Sequence, residues 1–114
     1  MDPEAIRDLF AGLGSVRVRR MFGGQGIYLD DLMFALEAGG ELYLKADARS
    51  AGAFEKAGSK QFVYTKNGKP MPMSYWRLPD AALDDPDEAS RWGRLAVEAA
   101  RRAALAKKKP RRRV

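Results

Sequence analysis

The chain has 114 residues, 21 of them Lys or Arg and 15 Asp or Glu, and it contains neither cysteine nor histidine. That length makes one domain, able to bury roughly 65% of its unfolded surface without a metal or a disulfide. Thiolate and imidazole chemistry, disulfides and Cys/His metal sites are excluded together, and the lack of a long apolar run or a signal-like start points to the cytoplasm.

Asp2-Pro3-Glu4 opens a helix, with Asp2 as N-cap and Pro3 in the first turn. Ile6, Leu9, Phe10 and Leu13 follow at helical spacing, and Gly12 and Gly14 supply the stop. Val16 and Val18 alternate with Arg17 and Arg19, as in a short half-exposed strand or an extended lead-in. Gly23-Gly24-Gln25-Gly26 then interrupts regular structure. Ile27 to Leu29 and Leu32 to Leu36 read as strands joined by a tight turn at Asp30-Asp31, and Gly39-Gly40 turns the chain into Leu42 to Lys45.

Asp47 caps a short helix, Ala48 to Ala57, ended by Gly58. Gln61 to Thr65 alternates again. Asn67-Gly68 is the strongest hairpin signal in the chain, because both positions of a type I′ turn need positive φ. The return strand runs from about Met71 to Leu78, with Met71, Met73 and Tyr75 on one face. Pro70 and Pro72 lack backbone donors, which places the start of that strand at a sheet edge. Asp85-Pro86-Asp87-Glu88 opens the last helix, with Asp85 as cap and Glu88 reaching back as in a capping box. Its apolar stripe is Ala89, Trp92, Leu95, Ala96, Ala99 and Ala103, and it ends by Pro110. The order α-β(3–4)-α-β(2)-α predicts an α+β domain with helices packed on an antiparallel sheet of about five strands.

Charge is uneven along this order. Residues 101–114 hold eight basic residues and no acid, leaving thirteen basic against fifteen acidic residues in 1–100, a net of −2. The expected division is a globular domain over 1–106 and a basic, disordered tail over 107–114.

Several motifs, in order, resemble the N-terminal domain of the TfoX/Sxy competence-regulator family. They are Arg20-Met21-Phe22-Gly23-Gly24 with Gly26-Ile27-Tyr28, Met33-Phe34-Ala35-Leu36, and Leu42-Tyr43-Leu44-Lys45 with Asp47. Phe54, Gly58, Phe62, Tyr64, Gly68-Lys69, Met73, Tyr75-Trp76, Pro79, Leu83-Asp84-Asp85-Pro86 and Trp92 continue the match, which covers residue 3 to about 104. The resemblance implies a fold similar to small secretion-chaperone-like domains. It also implies action with a transcription activator on DNA-uptake genes, without known catalysis. A Lys/Arg tail stands where the family's full regulators carry a second, helical domain.

The candidate sites are binding surfaces. A phosphate loop would need Lys-Ser/Thr and a helix after the glycines, whereas a strand follows them here. The segment from Arg20 to Gly24 lacks the later aromatics of an RNA-recognition signature. Arg17, Arg19 and Arg20 are candidate anion contacts; a solvated strand face with one structural ion pair, most readily at Arg20, is the plainer account. Asp30-Asp31 and Asp84-Asp85 sit where turns and caps want aspartate and lack calcium-loop spacing. Met71, Met73, Tyr75 and Trp76 form a candidate partner surface, the plainer account being that Met73 and Trp76 fill the core. Lys107, Lys108, Lys109, Arg111, Arg112 and Arg113 are candidate phosphate contacts, without base readout.

The expected function is a non-catalytic regulatory domain that docks a protein partner, with weak nonspecific DNA contact through the tail. The alternative is a chaperone-like homodimer that holds a peptide at a sheet edge and has no DNA role. An enzyme would need a pocket around Tyr43 and Lys45. No cofactor, metal or membrane partner is expected.

Overall fold

The computed structural model describes residues 1–21 and 23–108. Asp2 caps α1 (Pro3–Leu9) by accepting the Glu4 N–H at 3.4 Å, and Pro3 stands in the first turn. Ile6, Leu9 and Phe10 are buried, and a 3-10 turn over Ala11–Leu13 ends the segment.

Six strands form one sheet: β1 (Arg17–Met21), β2 (Gly24–Leu29), β3 (Leu32–Ala38), β4 (Glu41–Lys45), β5 (Gln61–Lys66) and β6 (Lys69–Arg77). Every pairing is antiparallel, and the order across the sheet is β1-β2-β3-β4-β6-β5. The expected α+β architecture holds, with four strands before the middle helix and two after it, the upper of the two expected counts, because Arg17-Val18-Arg19 belongs to a true edge strand. The turns fall where the dipeptides put them. Asp30-Asp31, Gly39-Gly40 and Asn67-Gly68 all have positive φ, as two-residue hairpin turns require.

The glycine segment departs from expectation. Gly24 and Gly26 do not interrupt the sheet but lie within β2, where Gly26 pairs with Arg19 on one side and Leu36 on the other. Bare backbone is needed there for contact. A Cβ on Gly26 would lie 2.8 Å from Met21 Sδ and 3.0 Å from Met33 Sδ, so these side chains close over it. A register shift between Ile27 and Tyr28 lets the adjacent Phe34 and Ala35 both be buried.

The middle helix is also shorter than expected. Asp47 does not begin it: its carboxylate accepts the Arg49 N–H at 3.0 Å, its carbonyl accepts the N–H groups of Ser50 and Ala51, and residues 48–50 form a turn. Helix α2 (Ala51–Lys56) follows. Helix α3 (Pro86–Lys108) starts as expected on Asp85, whose Oδ1 accepts the N–H groups of Asp87 and Glu88 at 3.1 and 3.3 Å. The reciprocal half of the capping box is missing. The Asp85 N–H already donates to the Ala82 carbonyl, and Glu88 instead pairs with Arg91 at 2.7 Å.

All three helices cover one face of the sheet. Phe10 meets Phe34 edge-on at 5.4 Å, and Phe54 of α2 lies between Trp92 of α3 at 4.8 Å and Trp76 of β6 at 6.3 Å. Ile27, Phe34, Leu42, Leu44 and Leu78 fill the space between the layers. No helix is long and apolar enough to cross a membrane.

Candidate docking surface

Cross-strand partners share a face, so the register assigns every strand residue to the helix layer or to the opposite side. Val18, Ile27, Ala35, Leu44 and Trp76 form one row toward the helices. Arg19, Gly26, Leu36, Tyr43 and Arg77 form a row on the other side, with Tyr28 opposite Met33 and Lys45 opposite Tyr75. No element covers this second face among the described residues.

A solvated sheet face normally carries polar side chains. This one carries Met21, Tyr28, Met33, Leu36 and Tyr43, all half-buried, with the Phe62 ring tilted against Tyr43 at 4.7 Å. Cations lie over two of its rings: Arg17 over Tyr28 at 5.8 Å, and Lys45 Nζ over Tyr75 at 5.3 Å. Tyr75 is buried enough that its phenol is pushed up to about 12, by burial first and by Tyr28 second. Beyond β4 the β5–β6 hairpin continues alone, because β4 pairs with β6 only through Tyr75, Trp76 and Arg77. There Val63, Tyr64, Met71 and Met73 are 40 to 54% exposed, an unusual density of large apolar side chains in water.

The candidate partner surface is therefore split. Met71 and Met73 are exposed on the hairpin, and Tyr75 is buried on the same face. Trp76 points the other way and packs against Phe54, so it belongs to the core, not to a docking surface. Met73 does not fill the core. Tyr64 completes the exposed patch on the face of Met71, while Val63, opposite Pro72, is exposed on the other side of the hairpin; their signal was the alternation of Gln61 to Thr65 in a strand with no partner beyond it among the described residues.

The three arginines are also split. Arg17 and Arg19 lie on the open face, while Arg20 lies on the helix side, opposite Gln25. The ion pair belongs to Arg17, which reaches Asp31 at 2.8 Å at the surface, and not to Arg20, which is exposed and has no carboxylate partner among the described residues. Arg20 instead lines a groove of about 620 Å³ with Arg7, Met21, Gln25 and Glu37. Burial disfavours the Glu37 charge, but the Gln25 amide, the Gly40 N–H and the chain's amino group outweigh it and hold its pKa below the usual value.

Of the basic tail, Lys107 is exposed in the last turn of α3 and Lys108 closes that helix. Lys109, Arg111, Arg112 and Arg113 lie outside the described residues. Just before them the helix is braced. Arg102 donates to both carboxylate oxygens of Asp47, at 2.6 and 3.0 Å, and Arg101 approaches Asp30 at 3.8 Å. The Arg102 guanidinium, helped by the Arg49 N–H, holds the Asp47 carboxyl down at about 2 against the opposing effect of burial. Sequence reasoning misses this brace, since its partners stand 55 residues apart.

Tyr43 and Lys45 stand on the open face and line neither of the two described cavities. Among the described residues no group of three His, Cys, Asp or Glu is placed to hold a metal ion.

Comparison with known proteins agrees with these motifs. The chain is 29% identical to Protein Sxy of Escherichia coli (strain K12) over 94 residues, which are 82% of this chain and 45% of that protein. It is 31% identical to DNA transformation protein TfoX1 of Aliivibrio fischeri (strain ATCC 700601 / ES114) over 68 residues, 60% of this chain and 32% of that one. It thus spans less than half the length of either relative. The model of the TfoX N-terminal domain matches residues 8–100, and the chain belongs to that family.

Proposed function

We propose that this domain is a non-catalytic, competence-related regulatory module of the cytoplasm that docks a protein partner and adds weak, sequence-independent DNA affinity through its basic tail. The observation that carries the docking half is the uncovered apolar face, extended by exposed Tyr64, Met71 and Met73 on the hairpin. Such a patch is costly in water and is characteristic of an interaction site. The partner class that fits the family is a transcription activator, and the name of the relative TfoX1, a DNA transformation protein, supports a DNA-linked role.

Titration of fluorescent duplex DNA at several salt concentrations, with the full chain and with one ending at Ala106, tests the tail. The full chain should bind with a steep salt dependence. With six phosphate contacts at most, the slope of log K against log salt should be no steeper than about −5. The shortened chain should bind far less. If neither binds near physiological salt, the DNA half of the proposal is wrong and the chaperone-like homodimer takes precedence. A stable dimer in sedimentation, indifferent to DNA, would establish that reading.

A further inference from the structure

The β5–β6 hairpin combines three features that the docking reading has not used. From Lys56 to Pro79 there is no Asp or Glu, while Lys60, Lys66 and Lys69 stand on the hairpin without a carboxylate partner among the described residues. β5 is an outer strand with no strand beyond it among the described residues. Its free edge is also intact, as the prolines of β6 show. Val63 is paired with Pro72 and Thr65 with Pro70, and proline has no N–H. Those pairs must be the non-hydrogen-bonded ones of the ladder, with Tyr64–Met71 and Lys66–Lys69 exchanging the bonds. The N–H and C=O groups of Val63 and Thr65 therefore point away from β6, into the open edge. The same prolines leave the other flank of β6 short of donors beyond the end of β4. The irregularity in this ladder also lies on β6, since two residues of β5 (Gln61 to Val63) span four of β6 (Pro72 to Trp76).

The opposite edge of the sheet is guarded. β1 presents Arg17, Arg19 and Arg20 within five residues, and α1 packs beside it. On β5 the stretch between Lys60 and Lys66 is uncharged and free of proline. A second copy of the chain is a poor occupant. The most extensive antiparallel pairing of two β5 edges, centred on Val63, sets Lys60 opposite Lys66 twice, and like charges in register destabilise a ladder.

We propose that the partner supplies an extended acidic segment that adds to β5 as a seventh strand. Its backbone would pair with Val63 and Thr65, its apolar side chains would lie on the face of Val63 and Thr65, and its carboxylates would lie on the other face, where Lys60, Lys66 and Lys69 stand with Tyr64. This rests on the docking reading and narrows it to one edge and one chemistry.

The probe is a fluorescent decapeptide of alternating Val and Glu, titrated into the full chain, with amide hydrogen exchange recorded by NMR. Binding should protect the Val63 and Thr65 amides. Val63→Pro removes an outward N–H that β6 does not use, and should weaken binding about fivefold or more while leaving the Tyr64–Met71 pairing intact. Lys60→Glu with Lys66→Glu and Lys69→Glu, all at the surface, should weaken it at least about tenfold. An alternating Val/Lys peptide should not bind. Binding without protection of Val63 and Thr65 would place the peptide on the C-terminal Lys/Arg run and overturn the proposal. So would equal binding by Val63→Pro, preference of the hairpin for a single-stranded oligonucleotide, or dimerisation through β5. Loss of peptide binding on Met71→Glu with Met73→Glu, but not on Val63→Pro, would overturn the edge while leaving docking on the face standing.

Discussion

Replacing Asp47 by Asn should cost about 1 kcal/mol of stability near neutral pH, and that cost should vanish in acid. The carboxyl is held at about 2 in the folded chain against an ordinary 3.8, chiefly by the two hydrogen bonds from Arg102. A difference of that size is worth about 2.5 kcal/mol if fully realised. Water reaches both partners, whose side chains are 30 and 32% exposed, so screening reduces it to about 1 kcal/mol. Because the folded pKa is the lower one, the contribution is complete above about pH 4 and disappears as the pH falls through 2. Asparagine keeps an oxygen for the Arg49 N–H and removes mainly the charge. Thermal unfolding from pH 7 to pH 2 should show the variant lower by about 3 to 6 °C at neutrality and converging with the wild type in acid. Arg102→Leu should behave alike, and the double variant should lose no more than either single one. A constant gap across the whole pH range, or additive losses, would refute an ion pair as the source.

Three other substitutions test the packing. Phe54→Ala should cost about 3 to 5 kcal/mol, since the ring is fully buried between both tryptophans, and it should alter the Trp76 and Trp92 fluorescence; an unchanged emission spectrum would deny the stack. Gly24→Ala would drive a Cβ into the Glu37 carbonyl oxygen, backbone that cannot step aside, and should cost about 3 kcal/mol in denaturant unfolding. Gly26→Ala meets side chains and no backbone, the mobile ends of Met21 and Met33 and the edge of the Tyr28 ring, so it should cost less than Gly24→Ala; the reverse order would be decisive against this arrangement of the open face.

Local signals carried most of the fold. The turns at Asp30-Asp31, Gly39-Gly40 and Asn67-Gly68 and the caps at Asp2 and Asp85 depend on neighbours within a few residues, and all are where those neighbours put them. What the sequence hides is pairing at long range. Asp47 reads as a helix cap because capping is the commonest local use of aspartate, and nothing nearby announces Arg102. The glycines of β2 read as a break because glycine disfavours strands, and only the side chains that close over Gly26 from other positions explain them. The site was legible in composition more than in geometry. Methionines and aromatics marked the hairpin whose apolar side chains are exposed, but strict alternation already separates Tyr75 from Trp76 and Arg19 from Arg20, and the strand register confirms that each pair is divided between two faces.

The brace changes what the basic C-terminal segment is. Counted from sequence, residues 101–114 carry eight positive charges. Two of them face carboxylates that the sheet-side loops contribute, Arg101 at Asp30 and Arg102 at Asp47. Both carboxylates come from connections between strands or after β4, so the last turns of α3 are tied to the sheet at two points. A charged segment leaving a tethered helix searches a smaller volume than one leaving a frayed end, and it pays less entropy on reaching a phosphate chain. Asp47→Asn should then weaken DNA binding by the full chain even though it removes a negative charge. Simple electrostatics predicts the opposite sign, which makes the two accounts separable in one titration.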